Sequence, residues 1–156
     1  MKPMPSALLL VLHLLAAIVW VGGMFFAHLI LRPAVGPLSP KDRLELWGRI
    51  FARFFSWIWL AVILLLLTGY ALVFMLFGGL AGAGLSVHLM NGVGLLMMGL
   101  YAVLFFGPYR LFRRALAARE LPFAVQQQAR IRQIVTINLV LGLLTVAAAA
   151  GGRYFS

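Results

Sequence analysis

Three histidines, His13, His28 and His88, sit inside long apolar stretches that hold no acidic residue and no lysine. An ionisable side chain in such a stretch is costly and marks a candidate functional site. Imidazole can hold haem iron, bind copper or join helices through hydrogen bonds. Met24, Met90, Met97 and Met98 add thioethers, which with imidazole suit Cu(I). There is no cysteine, which excludes disulfides, iron–sulfur clusters and thiolate metal sites. A proton-coupled transporter would usually carry a carboxylate in its spans, and none is present.

The elements that position these residues follow from composition. Of 156 residues 64% are apolar and 10% charged, with a mean hydropathy of +1.05, whereas a soluble domain is about 45–50% apolar and about 25% charged. Apolar runs of bilayer length fall near 6–31, 54–77, 87–109 and 133–150, without the period-2 alternation of a barrel. The expectation is an all-α integral membrane protein, one four-helix bundle spanning 1–156. All of the 13 basic residues except Lys2 and Arg153 lie between the first and second runs or between the third and fourth. By the positive-inside rule those two loops are cytoplasmic, with both termini and the glycine-rich turn between runs two and three outside. The net charge of +10 is then a topology signal, not a nucleic-acid surface. The first run is too long for a cleaved leader, and Arg32 follows it as a stop. Ser39-Pro40 reads as a helix start, with Leu44, Trp47, Ile50, Phe51 and Phe54 on one face of an interfacial helix. Tyr109–Arg119 extends the third helix, and Leu121-Pro122 turns the chain. Trp47, Trp57 and Trp59 suit the interfacial belt.

In this topology His13 lies roughly 10 Å in from the outer end, and His28 is about 22 Å further along the axis. His88 opens the third helix at the depth of His13. At about 100° per residue, His13, Ala16, Ala17, Trp20, Met24, Ala27 and His28 share one side of the first helix. His88, Gly92, Leu95 and Gly99 share a side of the third. Facing histidines in an apolar bundle meet the needs of a bis-histidine b-type haem: His13 and His88 as axial ligands, Trp20, Gly92 and Gly99 along the ring. The same set with Met90, Met97, Met98, Met24 and His28 makes a copper path. Helix packing explains the glycines and methionines equally well. Thr68, Tyr70, Asn91 and Thr145 either orient ligands or join helices, and Asn138 lies at the depth of His28 as its hydrogen-bond partner.

The run from His13 through Trp20 and Gly23 to Phe26, the segment Val87-His88-Leu89-Met90, and Ile131-Arg132 with Asn138 to Gly142 resemble the copper resistance protein D (CopD) domain. The first-helix pattern is also similar to that of HemJ-type protoporphyrinogen oxidases. The chain departs from that second pattern at Met90, where a lysine would stand, and at Leu139, where a glutamate would. The first resemblance implies an inner-membrane location and copper handling; the second implies b-haem. The reading placed first is a haem b redox protein of this group, a membrane oxidoreductase passing electrons to a periplasmic acceptor such as Cu(II) or to quinone. The alternatives are copper transport and a non-catalytic assembly partner. The lipid-facing surface suits a homodimer.

Overall fold

A computed structural model describes residues 4–151, and Lys2 and Arg153 lie outside that range. Among the described residues the only regular elements are helices. Four of them are long and apolar enough to cross a membrane: α1, Pro5–Ala34; α2, Pro40–Phe77; α3, Leu85–Ala117; and α4, Leu121–Gly151. Chain connectivity gathers the α1–α2 and α3–α4 turns at one end, called here the basic end, and the α2–α3 turn at the other. The main interfaces are α1 on α2 and α3 on α4, with smaller ones joining α4 to α1 and α2.

Each boundary has a local cause. Ser39 caps α2: its Oγ accepts from the Asp42 amide at 3.2 Å and donates to Asp42 Oδ2 at 2.6 Å, with Pro40 in the first turn. At the far end Gly78 takes φ 68°, and the amides of Gly78 and Gly79 close on the carbonyls of Phe74 and Val73. Such a stop needs a left-handed residue, which glycine supplies without a Cβ clash. α3 ends in the same way on Arg119, at φ 59°, with the Glu120 amide bonded to Ala115 O at 2.9 Å. The chain therefore reverses at 118–120, ahead of the expected turn at Leu121-Pro122, because Pro122 is accommodated in the first turn of α4.

The helices outrun the apolar runs. α2 has 38 residues, about 57 Å at the α-helical rise, against a hydrocarbon core of about 30 Å. Its first turns do not lie along a membrane interface as expected. Leu44, Trp47 and Phe51 are buried in the protein beside Phe112 and Ala115 of α3, because α2, α3 and α4 all continue past the basic end. Trp47 is thus a core residue, and Trp59 stacks on Tyr101 and Phe105 at 5.2 and 5.5 Å. Only Trp57, 59% exposed, keeps the surface position expected of all three.

Phe55 is the hub of the core. It stacks on Phe51 at 5.2 Å and meets Tyr109 edge-on at 4.8 Å, while its carbonyl accepts from Tyr101 Oη at 2.8 Å. Aromatic pairs of this kind add about 0.5–1.5 kcal/mol each beyond burial. Gly142 lets α4 approach both neighbours, since a Cβ there would meet Val21 Cγ2 at 2.8 Å and Met97 Cε at 3.1 Å. Two stretches of α1, Ile18–Gly22 and Phe26–Leu31, wind as π-helix, as does Phe105–Tyr109 of α3 around Pro108. Proline lacks the amide for an α-helical bond, which accounts for the last of these.

Candidate functional site

His13 is half-buried against α2. Its Nδ1 lies 2.9 Å from Thr68 Oγ1, and that hydroxyl is 2.5 Å from Leu64 O. A carbonyl can only accept, so the single hydroxyl proton goes to Leu64 and Thr68 must accept from His13. The imidazole is therefore the Nδ1–H tautomer, which leaves the Nε2 lone pair free for a ligand. Thr68 holds the ring in the way a second-layer partner orients a metal-binding histidine.

In mid-bundle a cavity of about 10 Å³ is lined by Trp20 and Met24 of α1, Phe54, Phe55 and Ile58 of α2, Tyr101 and Leu104 of α3, and Val135 and Asn138 of α4. Met24 is 2% exposed. Asn138 does not pair with His28 as expected. Its Nδ2 donates to Met97 O at 3.1 Å, and its Oδ1 is buried without a partner. The Met97 carbonyl wins because α3 packs closely on this stretch of α4. An unpaired buried amide oxygen is costly, which makes this position notable.

His28 instead approaches Thr136, with Nδ1 and Oγ1 3.5 Å apart. It lines a larger, half-open cleft of about 770 Å³ between the basic-end parts of α1, α2 and α4, in company with Arg32, Arg43 and Arg132. Three fixed positive charges repel a metal cation, so His28 is poorly placed as a copper ligand. Read from the sequence, those arginines served only as topology markers. The signal that they form one site was their spacing: Arg32 lies one turn from His28, and Arg132 one turn from Thr136.

The expected haem pair is not assembled. His88 is exposed, as are Gly92, Leu95 and Gly99 on the same face, and a Cβ on either glycine would meet nothing within 4 Å. The inward residues of α3 are Met97, Tyr101 and Leu104, and Met97 lies about 180° around the helix from His88. Trp20 meets Tyr101 at 6.1 Å, on that inward face. His88, Gly92 and Gly99 thus turn away from Trp20, and a ring held between His13 and His88 does not fit the residues present. Met90, Asn91 and Tyr70 are half-buried toward the turn end, Met98 is half-buried behind Met97, and Thr145 donates to Leu141 O in its own helix at 2.7 Å. Among the described residues no group of three or more His, Cys, Asp or Glu side chains could hold a metal. What the bundle does bring together is Met24, Met97 and Asn138 at its centre.

A search of curated proteins finds no match to this chain, and neither does a search of solved structures. The family model of copper resistance protein D matches residues 48–151. The match takes in most of α2, all of α3 and all of α4, including Met97 and Asn138, and leaves out α1 with His13 and Met24. Four membrane-crossing helices, a buried soft-ligand cluster and this match converge: the chain belongs to the CopD family, multi-pass membrane proteins related to copper resistance.

Proposed function

We propose that the chain carries Cu(I) within the bilayer, with His13 Nε2 as a ligand in the turn-end half and Met24 with Asn138 Oδ1 as a weak station at the centre. The observation that carries this reading is the mid-bundle cavity, where a fully buried thioether and an unpartnered amide oxygen line the same small space. A thioether favours Cu(I) over hard cations. A sparse donor set also suits passage, because a transported ion must be held weakly enough to leave. The basic loops support a cytoplasmic basic end in a bacterial-type plasma membrane, with the turn end and termini outside.

The test is Cu(I) binding to purified protein by competition with a chromogenic chelator, alongside copper accumulation in cells. Met24→Leu, which conserves volume, is expected to weaken binding by about tenfold or more, and Thr68→Val by about 10–100-fold, the usual effect of removing a histidine's supporting hydrogen bond. Unchanged affinity in both variants would sink the reading. So would a Soret band in the same sample that disappears in His13→Ala, since that would return the chain to haem chemistry.

A further inference from the structure

We propose that the basic-end cleft is a binding site for one anionic phospholipid, its phosphate among Arg32, Arg43 and Arg132 and an acyl chain against Ile50, Phe51 and Phe54. The cleft, about 770 Å³, falls within the range of about 300–1,000 Å³ typical of ligand sites. None of its lining residues is acidic, and among the described residues none of the three guanidinium groups is in a salt bridge. Arg32 and Arg132 are exposed and Arg43 half-buried, whereas Phe51 is 7% exposed. Charge therefore rims the opening and aromatic surface forms its depth. Guanidinium groups match phosphate oxygens in fork geometry, and a basic pocket between membrane helices is suited to an anionic headgroup. A free phosphate would satisfy the rim and leave the aromatic depth uncovered. A phospholipid covers both, and the bilayer supplies it. The site is independent of the copper reading, because it uses no residue proposed to hold the metal.

The experiment is native mass spectrometry of the purified full chain, released from detergent after equilibration with phosphatidylglycerol and excess phosphatidylcholine. One phosphatidylglycerol per chain is expected to remain bound. The combined variant R32Q/R43Q/R132Q should weaken retention by about a hundredfold, on the scale of three arginine–phosphate contacts. R49Q/R110Q/R114Q removes the same charge from exposed positions outside the cleft and should keep the lipid. Ala129→Phe narrows the cleft without altering charge and should also lose it, which decides the matter even if the triple variant fails to fold. The proposal is overturned if the cleft variants retain the lipid, if the outside set loses it equally, if phosphatidylcholine is held as well, or if inorganic phosphate displaces it.

Discussion

The two ends of the bundle are built to different densities. From the middle to the basic end, rings from α2 and α3 interlock without a break: Trp47, Phe51, Phe55, Tyr109, Tyr101 and Phe112 are all buried. Toward the turn end the interior thins. The first turns of α3, from Leu85 to Leu96, contribute no buried residue, and beyond Thr68 neither does α2. What holds α1 there is largely its seam with α2, including the His13–Thr68 contact. Dense packing fixes side chains in single positions; the looser end leaves room for polar side chains to meet an incoming ligand. The stability of this protein thus resides mainly at one end and its candidate metal chemistry at the centre and the other.

The sharpest way to break this contrast is to truncate each end. Phe55→Ala should cost about 3–5 kcal/mol in reversible unfolding from mixed micelles. Leu89→Ala, on an exposed side chain of the turn-end half, should stay within about 0.5 kcal/mol of the parent. Equal losses would mean that the turn-end face of α3 is covered by something outside the chain. Bulk added at glycine comes next. Gly142→Leu must push into Val21 and Met97 and should destabilise by about 1–3 kcal/mol. Gly92→Leu meets open space and should leave the unfolding midpoint unchanged or slightly raised, given the helix preference of leucine. A large loss at Gly92 would instead identify a self-association surface, which cross-linking of the parent would then reveal. The smallest effects are expected at the helix stops, and there the two ends should agree. Ser39→Ala should cost about 1 kcal/mol, and Gly78→Ala about 1–2 kcal/mol for a Cβ at positive φ. A marked asymmetry between these two would show that boundary chemistry, and not packing alone, separates the ends.

Hydropathy and charge made the four helices and the basic loops legible in the sequence, because the bilayer's length requirement and the clustering of arginine are both one-dimensional signals. The Ser39-Pro40 start was legible for the same reason: a cap is local. What failed was facing. His88 and Gly92 share a helical side, and a wheel shows that readily, but nothing in a wheel says whether the side is turned inward or out. The inward side of α3 is set by Tyr101 reaching the Phe55 carbonyl and by Asn138 reaching Met97, pairings between residues far apart in the chain. Trp47 was misplaced because membrane composition makes every tryptophan a belt candidate, although α2 carries this one past the apolar run into a protein interior. Met24 was legible as a soft ligand, while the unpaired Asn138 oxygen beside it depends on packing that spacing alone does not reveal.

The π-wound stretches of α1 also govern helical phase. Each holds one residue more per turn than α winding would, so the two together delay the basic-end half of α1 by about 200° relative to an ideal helix. This accounts for His13 meeting α2 while His28 meets α4, although a regular wheel sets them on one side. The relative bearing of the two histidines is therefore encoded by chain length rather than by residue identity. A single deletion between Ile18 and Gly22 would keep every side chain of the cleft and the metal cluster, yet rotate one set against the other by about a quarter turn.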